Sequence, residues 1–117
     1  MKKILVIDDE YKIRKIFLNL IAAEGHAATE AATAADAYEI LLREKMDLVL
    51  LDINMPEMDG SLIHYLLEAF GFAAKIIVCS VRPVSEQKEI IRGAVDYYDK
   101  AEGIEALRVK MERALKD

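Results

Sequence analysis

The chain has 117 residues, enough for one compact domain and too few for two of ordinary size. A hydrophobic fraction of 54% is ample for a core, and a formal charge of −5 argues against direct nucleic-acid binding. No apolar run is long enough to span a bilayer, the first (Ile4 to Ile7) stops at Asp8 and Asp9, and the lone Cys79 excludes an internal disulfide, so a cytoplasmic protein with no membrane contact is expected.

Ile4 to Ile7 reads as a strand buried on both faces. Ile13, Ile16, Phe17, Leu20 and Ile21 then mark one face of a helix that ends at Gly25. His26 to Ala31 is a weaker second strand, and Ala34 to Lys45 a helix with Ala37, Ile40 and Leu41 inward. Leu48 to Leu51 is the third strand, Ser61 to Phe70 a helix, and Lys75 to Cys79 the fourth strand, where Cys79 serves core packing. Ser85 is placed to cap a helix through Arg92, with Glu86 in its first turn, where the helix dipole favours an anion. Val95 to Tyr98 makes a fifth strand, and Ile104 to Leu115 a last helix with Ile104, Leu107, Met111 and Leu115 inward. Five strands alternating with five helices predict right-handed crossovers and a parallel sheet covered on both faces.

Such sheets carry their sites at the carboxyl ends of the strands. Here those ends hold Asp8-Asp9-Glu10, Asp52, Ser80 and, past the fifth strand, Lys100. Taken singly, each has an ordinary reading as a turn former, a cap or a surface residue. Asp59-Gly60 keeps that reading, as a turn beside Pro56, and His26 and His64 fall far from the cluster. Together, however, three converging carboxylates repel one another, which a hard oxygen-seeking cation such as Mg²⁺ and the Lys100 ammonium would relieve. A carboxylate beside a metal, a lysine and a hydroxyl is equipped to attack phosphorus.

The segments Ile4-Leu5-Val6-Ile7-Asp8-Asp9-Glu10, Leu48-Val49-Leu50-Leu51-Asp52-Ile53-Asn54-Met55-Pro56, Asp59-Gly60, Ile77-Val78-Cys79-Ser80 and Gly93-Ala94-Val95-Asp96-Tyr97-Tyr98-Asp99-Lys100 follow in that order. In this arrangement the sequence resembles the receiver domains of two-component response regulators, along essentially the whole chain. The resemblance implies a flavodoxin-like, doubly wound five-stranded parallel sheet of order 2-1-3-4-5 with five helices, and a single domain over residues 1–117. It implies that Asp52 is the phosphoacceptor, that Asp9 binds Mg²⁺ directly and Asp8 directly or through water, and that Asp52 and the Asn54 backbone carbonyl complete the protein ligands. Ser80 and Lys100 would contact phosphoryl oxygens. Tyr97 matches the family's switch aromatic, which turns inward when the hydroxyl residue moves toward the phosphate, and Tyr98 would point to the other face. The phosphoryl source would be a histidine kinase or histidine phosphotransfer protein, and the domain would catalyse only its own phosphorylation and dephosphorylation. Output would pass through the face of the helix from Ser85, the fifth strand and the last helix, to a partner or to a homodimer formed on phosphorylation.

Two departures stand out. The family usually has proline after the lysine, often joined by a cis bond, whereas this chain has Ala101, before which a cis bond would cost about 2.5–4 kcal/mol. Val81 follows the hydroxyl residue where a small side chain is common, and Pro83 stiffens the same loop. Three other readings compete. A phosphatase of the haloacid-dehalogenase type wants an aspartate at position 54, and a flavin carrier would not place Asp8-Asp9-Glu10 against a phosphate. A receiver-like binding module that has lost phosphorylation is the serious alternative, since Val81 and Ala101 weaken the match around the phosphate, but Asp8, Asp9, Asp52, Ser80 and Lys100 are all present.

Overall fold

Ile4 to Ile7 and Leu48 to Leu51 are apolar at every position, and strands of that kind need cover on both faces. The computed structural model, which describes residues 1–55, 65, 68 and 75–116, supplies it. Its elements run β1 (Lys3–Ile7), α1 (Tyr11–Ala23), β2 (Ala27–Ala31), α2 (Ala34–Arg43), β3 (Leu48–Asp52), β4 (Lys75–Ser80), α3 (Val84–Ile90), β5 (Asp96–Asp99), a short 3₁₀ turn (Lys100–Glu102) and α4 (Ile104–Leu115). The strands form one parallel sheet in the order β2-β1-β3-β4-β5, as expected. Four α-helices lie among the described residues. The helix expected over Ser61 to Phe70, like Pro56, Asp59, Gly60 and His64, falls outside them, except that Tyr65 and Glu68 are helical.

Alternation along the strands sorts the core into two layers. Leu5, Ile7, Val49, Leu51, Val78 and Tyr97 pack against Ala34 and Ala37 of α2 and against Ile91 just after α3. Ile4, Val6, Leu50, Ile77, Cys79 and Tyr98 pack against Phe17 and Ile21 of α1 and Leu107, Met111 and Ala114 of α4. Each large apolar side chain so buried contributes roughly 1.5–3 kcal/mol. Tyr97 and Tyr98 therefore face opposite sides of the sheet, as the alternation of a strand requires.

Several expected boundaries and faces shift. Ile16 is 48% exposed and Ile104 40% exposed, so neither belongs to the buried stripe of its helix, and in α4 Ala114 is buried while Leu115 is only partly so. The last strand starts at Asp96 instead of Val95. Ser85 does not cap α3: Pro83 stands at the N-cap, with its carbonyl accepting from the amides of Glu86 and Gln87. The helix also ends at Ile90 instead of Arg92, because Ile91 turns extended to bury its side chain in the core. None of the described peptide bonds is cis, and Lys100-Ala101 instead enters the 3₁₀ turn, capped by Asp99, whose carboxylate accepts from the Ala101 amide. No helix among the described residues is long and apolar enough to cross a membrane.

Candidate functional site at the carboxyl ends of the strands

In register, Ile7 lies opposite Leu51, and Asp52 opposite Cys79. Asp8 and Asp52 thus leave the sheet side by side between β1 and β3, where the strand order reverses and an α/β sheet opens its binding crevice. One carboxylate oxygen each of Asp8, Asp9 and Asp52 lies within 4.8 Å of the others. Asp8 and Asp52 are buried and Asp9 is exposed, so the cluster opens to solvent on the Asp9 side. An all-oxygen donor set of this charge suits a hard divalent cation and would not select a thiophilic one.

The backbone fixes these carboxylates. Asp8 Oδ1 accepts from the Glu10 amide at 2.8 Å and Asp52 Oδ1 from the Asn54 amide at 2.9 Å, turns formed by each aspartate over the residue two ahead. Arg14 of α1 braces the same corner: its guanidinium donates to the Asp8 carbonyl at 2.9 Å and to Glu30 of β2 at 2.8 Å.

Lys100 reaches in from the 3₁₀ turn, with Nζ 2.8 Å from Asp8 Oδ2 and 3.6 Å from Asp52 Oδ2. Burial works against its charge, yet the hydrogen bond to Asp8 and the charges of Asp52 and Asp8 outweigh it and hold the ammonium above the ordinary lysine range. Asp52 moves the other way for a carboxylate. Burial pushes it up to about 6, aided by Asp8 and Asp9, against the lowering effects of the Asn54 amide and Lys100. Burial thus favours the neutral carboxyl, and positive charge brought to the cluster would favour the ionised form.

Ser80, fully buried at the end of β4, shows the chemistry most directly. Its Oγ accepts from Asn54 Nδ2 at 2.9 Å and from the Arg82 amide at 3.0 Å, while Asn54 Oδ1 accepts from Arg82 Nε at 3.2 Å. The Arg82 guanidinium thus sets the orientation of the Asn54 amide, which in turn occupies an acceptor site of Ser80. With both lone pairs engaged, the hydroxyl has only its proton left to offer. A group arriving at Asp52 would meet a donor.

The structure brings Asp8, Asp9, Asp52, Ser80 and Lys100 to one rim. Asn54, singled out for its carbonyl, also works through its side chain, and Arg82 and Arg14 enter the site without having been predicted. Arg82 sits two residues past Ser80 in a loop, where sequence alone shows an ordinary surface cation. Arg14 could have been noticed as a cation one turn into α1 on the side of the acidic cluster. Tyr97 is not turned out: it is 9% exposed, with its hydroxyl donating to the Ile91 carbonyl at 2.7 Å. Val81 is 68% exposed beside Ser80, and Cys79 is buried, which pushes its thiol up and leaves it a packing residue.

Comparison with known proteins points to one family. Residues 4–112 match the response regulator receiver domain family. The chain is 30% identical to sporulation initiation phosphotransferase F of Bacillus subtilis, over 97% of this chain and 94% of that protein. It is 29% identical to part of the sensor histidine kinase RcsC of Escherichia coli, over 74% of this chain and only 9% of that much longer protein. Among solved structures, the response regulator TrrA of Thermotoga maritima, in complex with Mg²⁺ and BeF, superposes with a TM-score of 0.85 at 28% identity, covering 98% of this chain and all of that one.

Proposed function

We propose, on the premise that the chain belongs to the response regulator receiver domain family, that Asp52 is the residue that takes the phosphoryl group. The observation that carries this reading is the placement of one buried carboxylate, Asp52, between a lysine already shared with Asp8 and an acidic cluster open to solvent. An Asp52 oxygen attacks phosphorus, the bond from phosphorus to the donor's imidazole nitrogen breaks, and an acyl phosphate remains on Asp52. Lys100 offsets charge on the phosphoryl oxygens and the Ser80 hydroxyl donates a hydrogen bond to one of them. Asp8, Asp9, Asp52 and the Asn54 carbonyl would hold Mg²⁺, whose role when bound is to neutralise phosphoryl charge. On this reading the domain, residues 1–117, transforms no other substrate and works in the cytoplasm.

The donor is a phosphohistidine of a histidine kinase or phosphotransfer protein. Supporting this, a groove of about 170 Å³ beside Lys100 is lined by Ile13, Ile16, Phe17, Tyr98, Gly103 and Ile104. Its half-exposed isoleucines, Ile16 and Ile104, explain why two residues of apolar helix stripes are left uncovered, and they would seat the donor's helix next to the site. Output runs through the α3–β5–α4 face, where Ile90, Val95 and Val109 are exposed on neighbouring elements, to a partner or a second copy. Labelling with a small phosphodonor in the presence of Mg²⁺ tests the transfer step: the phosphate should be absent from Asp52→Asn. Amide exchange with and without beryllofluoride tests the output face, which should respond across residues 81–100 and not across 27–45.

A further inference from the structure

Every polar residue of α3 faces solvent except Gln87, which is completely buried. A buried amide is costly unless its groups are hydrogen-bonded. Gln87 spends both of its protons on backbone carbonyls, from Nε2 to Arg82 at 2.8 Å and to Tyr98 at 2.9 Å. The orientation is fixed by those partners, since a flipped amide would set Oε1 against two acceptor oxygens. Oε1 itself has no partner among the described residues, so this polar side chain is retained at a cost that an apolar one of the same length would avoid.

What the two bonds connect is specific. Arg82 is the residue whose amide holds Ser80 Oγ and whose guanidinium orients Asn54. Tyr98 lies in β5 between Tyr97 and the segment that carries Lys100 to Asp8. One side chain therefore spans from the loop behind the hydroxyl of the site to the strand that bears Tyr97 and leads into the turn carrying Lys100. Ser80 Oγ holds the Arg82 amide, and the Arg82 carbonyl is tied through Gln87 to the Tyr98 carbonyl.

We propose that Gln87 is a positioning residue that holds the Ser80–Arg82 loop in register with β5, so that a change at Asp52 reaches the Tyr97–Lys100 segment through it. The inference rests on Asp52 being the phosphoryl site. Methionine at this position fills the same space and donates nothing, so Gln87→Met separates packing from tethering.

The experiment is amide and side-chain nuclear magnetic resonance on wild type and Gln87→Met, without and with Mg²⁺ and beryllofluoride. In the wild type, the Gln87 side-chain protons should exchange about a hundredfold more slowly than a free amide. Beryllofluoride should shift the amides of residues 81–82 and 98–100 together. In Gln87→Met the loop should still shift, while the response of residues 98–100 falls by about fivefold or more at equal site occupancy. A residue with a packing role alone would change the melting temperature and leave the two responses in their wild-type ratio, which would overturn the proposal. So would free-rate exchange of the Gln87 side-chain protons in the wild type, a result that does not depend on the variant folding. Failure of the amides of residues 52–54 to respond at all would instead remove the phosphoryl reading, and the inference with it.

Discussion

Lys100 Nζ donates to Asp8 Oδ2 at 2.8 Å although the two residues stand 92 positions apart in sequence, and the same ammonium lies 3.6 Å from Asp52. One cation thus serves two buried carboxylates before any phosphoryl group arrives. Lys100→Met leaves both without it. The titration of Asp52, followed by carboxyl-carbon resonance, should then move above the value of about 6 it has with lysine present. Labelling by a small phosphodonor should slow by about a hundredfold, the scale of removing one charge-stabilising group from a transition state. An unchanged rate would show that Lys100 does not meet the transferring group.

The raised pKa of Asp52 makes a statement about stability. Its folded-state value, about 6, lies above the unfolded value of 3.8, so between these the folded state binds more protons. The sign is the reverse of a salt-bridged carboxylate: this group destabilises the fold at pH 7, and the penalty is relieved as pH falls through about 6 toward 4. A shift of this size corresponds to about 3 kcal/mol. Metal-free Asp52→Asn should therefore be more stable than wild type at pH 7 by about 2–3 kcal/mol, with the gap closing toward pH 4.5. Urea unfolding of both proteins across that range measures it, and a gap that widens on acidification would contradict the assignment of the shift to burial.

Tyr97 is held inward by the bond from its hydroxyl to the Ile91 carbonyl. Tyr97→Phe keeps the ring in the core and leaves that carbonyl unpaired. The variant should lose about 1–2 kcal/mol in urea unfolding. Equal stability would mean that ring packing alone keeps Tyr97 inside.

The sheet and the rim of the site were legible because they obey local rules. Short apolar runs such as Leu48 to Leu51, bounded by polar residues, read as strands covered on both faces, and the residue after each then falls on one edge. What escaped were side chains whose roles exist only in three dimensions. Arg82 and Arg14 read as solvated cations until the fold sets them against Asn54 and the Asp8 carbonyl. Gln87 left a trace that could have been followed: in sequence it falls at helical spacings of three and four from Val84 and Ile91, the two apolar residues that turn inward at either end of this segment. Its neighbours Glu86, Lys88 and Glu89 masked that spacing. The misread faces of Ile16 and Ile104 have a different cause, since periodicity marks apolar residues whether they meet the core or a groove beside Lys100.

Val81 exposes 68% of its surface immediately after Ser80, on the solvent side of the loop. A water that hydrolyses an acyl phosphate must approach in line, and a β-branched side chain stiff about its first torsion would narrow an approach that passes Val81. Val81→Ala should speed both labelling by small donors and phosphate loss by about tenfold, equivalent to roughly 1.4 kcal/mol of barrier. Equal phosphate lifetimes in the two proteins would show that Val81 does not guard the entrance.

Phosphate on Asp52 is the central expectation. Intact-mass measurement after treatment with acetyl phosphate or phosphoramidate in Mg²⁺ should show a single added phosphate, labile to acid and hydroxylamine as an acyl phosphate is. Peptide mapping should place it on Asp52, and Asp52→Asn should take up none. A phosphate that survives hydroxylamine, or one found on another residue, or no uptake at saturating donor and Mg²⁺, would contradict it.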